Sequence, residues 1–439
     1  MRNNMRDLQK SKQLIIECQK YSASKRVDLE GTYNFIIDKG QGAYVWDVDG
    51  NKYIDYTSST GAIILGYRYD EVDNAVIEQV RNYGSIFTTT LSKLQLELAK
   101  KTLNLFHGYE KVLFFRTGSC ATTAAVRLAR IYSRKKIILT SGYHGWHDWH
   151  LNIFPRFKIE DPNYLDFSYN LNLLKFYYEQ HKGQVACTII TPEPTFFPNE
   201  YFEELYQITK FYGSILVFDE VMCGFRIHYG GFYSQLSFTP NLLVIGKGLT
   251  NGYVLSAVLG QKDIMVAREK THLVDTFHNE QTPMAAAIAT LDVYMHKNVI
   301  NKLNFIGNQL IQGLSNLFLT FGVKACIKKY PALFHIIFDN EKIETAFHRT
   351  LQSRGILFHP FDPQMVNFCH SEADIRYTLQ TVEEVLKILS KKFPTEFGLS
   401  DTSLSQASLD FRTLHEFGGL MNYKLPIEQI PINWLQNDR

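Results

Sequence analysis

The stretch ILVFDEVMCGFRIHYGGFYSQLSFTPNLLVIGK, residues 215–247, contains two short apolar runs, each closed by a charged residue of different chemistry. Asp219 ends the first run, and Lys247, enclosed by Gly246 and Gly248, follows the second, 28 positions later. Runs this short and this rich in Val, Ile, Leu and Phe read as buried strands rather than helices. Three more lie upstream, KVLFF (111–115), KIILT (136–140) and VACTII (185–190), separated by helical stretches such as ATTAAVRLARIYS. Strands alternating with helices predict an α/β fold, a mostly parallel sheet with helices on both faces. Ligands of such sheets bind beyond the carboxyl ends of the strands, where Asp219 and Lys247 fall.

Around this core the chain divides by pattern. GAYVWDVDGNKYIDYTS (42–58) alternates apolar and polar residues about Asp49-Gly50, a dipeptide suited to a tight hairpin, so residues 1–69 read as a helix and a small β-meander. The large domain is expected over 70–298. A smaller α+β domain is expected over 299–396, entered through the helical INKLNFIGNQLIQGLSNLF (300–318). Residues 397–439 form a tail without a strong period. The aromatic stretches FYSQLSF (232–238) and LFHPFDP (357–363) are candidates either for a roomy substrate wall or for core.

Composition excludes several classes. The net charge of +2 among mixed-sign residues gives no electrostatic footprint for nucleic acid or an anionic membrane. Six scattered cysteines without a CxxC pair argue against a zinc site or disulfide framework and for reduced thiols in the cytoplasm. The charged N-terminus lacks the apolar core of a signal peptide, and no later run is long enough to span a bilayer.

Further candidates flank the strands. RTGSCATTAAVRLAR (116–130) follows a strand and opens a helix at Gly118-Ser119, which is either an ordinary serine cap or a phosphate cradle of helix amides. SGYHGWHDWH (141–150) places Tyr143 to stack on a flat heteroaromatic ring; its histidines 144, 147 and 150 form only a weak metal pattern. A lysine to hold an aldehyde as an imine, beside a carboxylate to keep a pyridine nitrogen protonated, suggests pyridoxal phosphate chemistry. The bland alternatives are a surface role for Lys247, a strand-end cap for Asp219, a turn for Glu193 and space-filling for His144.

The chain resembles the class III aminotransferases of pyridoxal phosphate fold type I, especially those similar to glutamate-1-semialdehyde aminomutase. The resemblance rests on GAYVWDVDGNKYIDY, TGSCATTAAVRLAR, GYHGWHD, PEP (192–194), FDEVMCGFR, TPNLLVIGKGLTNG and TFHNEQTPMAAAIATL in this order. It implies a seven-stranded large-domain sheet and a homodimer with shared sites. It implies that Lys247 forms the imine and shuttles a proton, that Asp219 pairs with the pyridine nitrogen, and that Val221 packs on the ring opposite Tyr143. Gly118 and Ser119 would bind phosphate, Thr276 would reach the neighbouring subunit's phosphate, and His144 and Glu193 would support the cofactor wall. No metal is implied. The departures are Cys120 where a glutamate is usual, Pro198 and Asn199 where an asparagine contacts the cofactor, and His278-Asn279-Glu280-Gln281 in place of SGNP.

The reading that follows is an aminotransferase moving an amino group from an amine donor to a carbonyl acceptor. The alternatives are an intramolecular aminomutase or racemase, and a noncatalytic relative. A nucleotide-binding oxidoreductase loses ground because no G-x-G-x-x-G follows a first strand.

Overall fold

The protein is described from a computed structural model covering residues 6–23, 33–88, 90–150, 162–360 and 362–404. The described residues divide into two compact units, one combining those up to Tyr69 with those from Asn301, the other spanning Asp70–Ile300. In the first, helix α1 (Gln9–Tyr21) precedes strands β1 (Ile37–Gln41), β2 (Tyr44–Asp47) and β3 (Lys52–Asp55), an antiparallel meander. Its hairpin turns at Asp49-Gly50, with Gly50 at φ +85 and the Asp47 carboxylate accepting from the Asn51 amide at 2.7 Å.

The second unit opens with helices α2 (Asp70–Asn82) and α3 (Lys93–Leu105). Then come β4 (Lys111–Phe115), α4 (Gly118–Ser133), β5 (Ile137–Ser141), β6 (Tyr164–Asp166), α5 (Leu171–Gln180) and β7 (Val185–Ile190). These are followed by α6 (Asn199–Phe211), β8 (Ile215–Asp219), β9 (Leu242–Ile245), β10 (Ser256–Gly260) and α7 (Thr282–His296). The sheet order is β4-β10-β9-β8-β7-β5-β6, seven strands. β5 to β9 are mutually parallel, and β10 is antiparallel to both β4 and β9. β4 therefore points the same way as β9, and the carboxyl ends of six strands lie on one edge of the sheet.

Burial explains the strand composition. β5, β7, β8, β9 and β10 are buried at every position, as expected of strands covered on both faces. α4 lies on the sheet through Ala121, Ala124, Ala125 and Ala129, whose small side chains allow close approach. Thr117 caps its start by accepting from the Cys120 amide.

The chain returns to the first unit through α8 (Val299–Phe321), β11 (Ala325–Tyr330), β12 (Leu333–Phe338), α9 (Glu341–Ser353), β13 (Ile356–Leu357) and α10 (Glu372–Lys392). β13 pairs in parallel with β3, Ile356 opposite Ile54, so the N-terminal meander is completed by a strand from the far end of the chain. The aromatic stretches prove to be core: Phe232, Tyr233 and Phe238 in one unit, Leu357 and Phe358 in the other, are buried.

Candidate active site

This edge of the sheet gathers candidate residues from five strands. Thr117 and Gly118 follow β4, Tyr143 and His144 follow β5, Glu193 follows β7, Asp219 ends β8 and Lys247 follows β9. Asp219 is paired in register with Val244, three residues before Lys247, so the carboxylate and the amine leave neighbouring strands.

Asp219 is nearly fully buried, and each of its carboxylate oxygens has a hydrogen-bond partner. Its Oδ2 lies 2.8 Å from His144 Nδ1, and its Oδ1 accepts the Val221 amide at 3.2 Å. The other imidazole nitrogen, Nε2, faces the Ser141 carbonyl at 3.1 Å. A carbonyl only accepts, so Nε2 carries a proton, and a second proton must lie between Nδ1 and the carboxylate. The two side chains hold that proton between them in a buried site. Thr191 Oγ1 donates to the Tyr143 carbonyl at 3.0 Å and fixes the turn that delivers His144.

His150 supports His144 from behind. Burial and then the neighbouring His144 push His150 down to about 2, so its ring is neutral. Its Nε2 accepts the His144 amide at 3.0 Å, which leaves Nδ1 to donate to the Tyr164 oxygen at 2.5 Å. His147 lies instead against Thr123 Oγ1 at 2.8 Å, so the three histidines have three different tasks.

Lys247 is partly buried, and its Nζ stands 3.5 Å from the Met222 sulfur. Its φ is +41, in the left-handed region, where a side-chain-bearing residue costs about 1 kcal/mol or more. A strained lysine just past a strand end makes Lys247 a candidate for function.

Glu220 was not singled out by sequence, although it stands beside Asp219. It is completely buried, and its two oxygens accept the Phe232 and Tyr233 amides at 2.5 and 2.8 Å. Burial pushes its carboxyl up to about 7. Because the folded value lies above the ordinary 4.5, its contribution to stability is full below about pH 4.5 and is lost as pH rises through about 7. Glu220→Gln should remove this dependence. The difference in unfolding free energy between wild type and variant should change by about 3 kcal/mol from pH 4.5 to 8. Parallel urea or thermal unfolding curves across that range would show that Glu220 does not titrate there.

At the start of α4 the backbone packs closely. A Cβ on Gly118 would lie 3.3 Å from both Val221 methyl carbons, and one on Gly145, at φ +96, would lie 2.2 Å from Ser119 Oγ. Val221 also lies 3.5 Å from where a Cβ on Gly246 would sit, so it spans from the helix start to the residue before the lysine. Amides of a first helical turn bind anions, a buried carboxylate receives a protonated ring nitrogen, and an amine condenses with an aldehyde. The donor set therefore fits pyridoxal phosphate.

The other sequence candidates are placed as follows. Tyr143 is half exposed at the edge of this cluster, edge-on to His150 at 6.3 Å between centroids. Glu193 closes a turn, its carbonyl accepting the Phe196 and Phe197 amides at 3.0 Å, and after desolvation its charge raises the buried Tyr169 hydroxyl. Thr276 is exposed on a turn before α7. Asn199 is directed elsewhere, donating to the Gln235 carbonyl at 3.3 Å. Cys120 takes a hydrogen bond from Thr117 at 3.2 Å. Glu280 forms an ion pair with Arg116, next to the helix start, a contact that sequence spacing did not reveal.

Comparison with known proteins agrees with this geometry. The class III aminotransferase family matches residues 27–386. The chain is 33% identical to 2'-deamino-2'-hydroxyneamine transaminase of Streptomyces kanamyceticus, over 83% of this chain and 91% of that one. It is also 33% identical to 3-aminobutyryl-CoA aminotransferase of Cloacimonas acidaminovorans (strain Evry), over 82% and 91%. Glutamate-1-semialdehyde 2,1-aminomutase of Persephonella marina is 31% identical over 87% and 99%. Among solved structures, the FumI protein of Sphingopyxis sp. MTA144 superposes with a TM-score of 0.81 at 24% identity, covering 88% of this chain and 98% of that one. With the family match spanning most of the sequence, the chain belongs to the class III aminotransferases and is a pyridoxal-phosphate-dependent transaminase.

Proposed function

We propose that Lys247 is the amine that binds the cofactor aldehyde and moves the proton, and that Asp219 receives the ring nitrogen. The supporting observation is that the two leave adjacent strands, with His144 holding Asp219 as a buried carboxylate at 2.8 Å. When bound, the cofactor supplies an electron-accepting ring. Asp219 presents a fixed negative charge with no reorganisation needed at the moment of reaction. Amides of Gly118 and Ser119 hold the phosphate, and Val221 and Tyr143 bound the ring. Lys247 accepts the proton lost by the amine donor and returns it to the carbonyl acceptor's side.

The test of transfer is nitrogen tracing with the purified protein. An amine donor labelled with heavy nitrogen should pass the label to the product of a separate carbonyl acceptor. Label that stays within one molecule would instead identify an aminomutase, the activity named for the Persephonella relative.

The working unit we propose is a cytoplasmic homodimer, with Thr276 reaching the partner's phosphate. No disulfide joins any of the six cysteines, and among the described residues no helix is long and apolar enough to cross a membrane. Tyr83, Leu91, Leu96 and Phe277 are 65, 81, 57 and 58% exposed, an apolar set that a monomer would leave in water. The segments carrying them are joined by the Ile86–Glu280 bridge and by the Gln281 amide donating to the Ser85 carbonyl at 2.7 Å. Leu91→Asp with Phe277→Asp should yield a monomer by light scattering and lower transaminase activity by ~100-fold or more. A wild-type protein that is monomeric and active would overturn the shared site.

A further inference from the structure

Behind its first turn, α4 carries Val126, Arg127, Arg130 and Ile131 toward Trp146 and Trp149, across a cavity of about 640 Å³. This is the size of small-molecule pockets. Arg127 gives one N–H to the His272 carbonyl at 3.1 Å, and Arg130 gives Nε to the Lys136 carbonyl at 2.8 Å. Each guanidinium has five N–H donors, so most remain, and neither has a carboxylate partner among the described residues. Among the described residues of the wall, Asp148 is the one acid against these two cations, so the cavity is electropositive as well as aromatic.

The wall is also connected to the catalytic carboxylate. Trp149 Nε1 donates to Thr123 Oγ1 at 2.8 Å, and Thr123 donates to the Ser119 carbonyl at 2.7 Å, in the first turn of α4. The Trp149 ring lies nearly parallel to that of His144, 14° between planes and 6.2 Å between centroids, and His144 pairs with Asp219.

We propose that this cavity is an effector site for a small organic anion with a flat ring, a carboxylate or phosphate held by Arg127 and Arg130 with its ring on the indoles. Two guanidiniums one turn apart match the forked geometry of such anions, and indole faces take flat rings. The occupant bears on Trp149 and thereby on His144, so its binding is felt at the turnover step.

The probe is phenyl phosphate, added to the full-length, cofactor-loaded enzyme while tryptophan fluorescence is followed, with benzyl alcohol as the uncharged control. A saturable change with phenyl phosphate alone is expected, at least ten-fold weaker in Arg127→Gln/Arg130→Gln, with circular dichroism confirming that the variant is folded. At saturation kcat should change at least two-fold without competition against the amine donor. The proposal is overturned if no saturable change occurs, if the double variant binds equally, if kcat is unmoved, or if the probe competes with the donor. The fluorescence arm does not depend on the roles assigned to Lys247 and Asp219, so it can fail or succeed separately from them.

Discussion

Lys247→Ala leaves a folded protein whose transamination is slower by ~10⁴-fold or more, because both the covalent attachment and the proton-moving base are lost together. The measurement is the visible absorption of bound cofactor, which should respond to an amine donor in wild type and stay unresponsive in the variant. Retention of more than about a tenth of the activity would remove Lys247 from the chemistry. Backbone conformation adds a second reading. Because residue 247 sits at φ +41, alanine inherits the strain but glycine does not. Lys247→Gly should therefore be as inactive as Lys247→Ala yet more stable by about 1 kcal/mol. The two variants separate loss of the amine from loss of the fold.

Asp219→Asn should lower kcat by ~10³-fold with little change in the donor's KM, since what disappears is a charge that matters at the transition state. The amide brings no charge to the proton held between residue 219 and His144 Nδ1, so a buried polar pair loses its carboxylate. The variant should consequently be less stable as well, by about 3 kcal/mol. Chemical denaturation and donor half-reaction rates measure the two effects separately. A loss of less than ten-fold in rate would reduce Asp219 to a structural anchor for His144.

The strands that carry the chemistry were legible in the sequence because they are buried on both faces and read as unbroken apolar runs. KVLFF, KIILT, VACTII, SILVFD and LLVIG correspond to β4, β5, β7, β8 and β9 within a residue. β10 was not legible: SAVLG is weakly apolar and ends in glycine, and its place between β4 and β9 depends on long-range pairing. β6, three residues long, carries no period at all. The association of the N-terminal meander with the C-terminal region was likewise hidden, since it rests on a two-residue strand joining Ile54 to Ile356.

At the site, residue type and spacing singled out Asp219 and Lys247 as candidates, whereas the partners around them needed three dimensions. His144 was visible as an imidazole near a strand end, but its contact with a carboxylate 75 positions away was not. Glu220 was overlooked because it adjoins a residue with a stronger claim. Arg116 and Glu280 lie 164 positions apart (280 − 116), beyond the reach of any local pattern.

The single reversed strand has a mechanical consequence. A parallel strand at the β10 position would end at the catalytic edge and deliver a loop there. β10 instead begins there, with Ser256, whose small side chain turns back to donate to the Thr117 carbonyl at 2.7 Å. The helix start proposed to hold the phosphate and the lysine proposed to hold the aldehyde are thus set two strand spacings apart, about 10 Å. That interval is measured out by main-chain hydrogen bonds, like marks on a ruler. Loops around the edge can vary to admit different substrates while the distance between the two grips stays as fixed as the sheet itself.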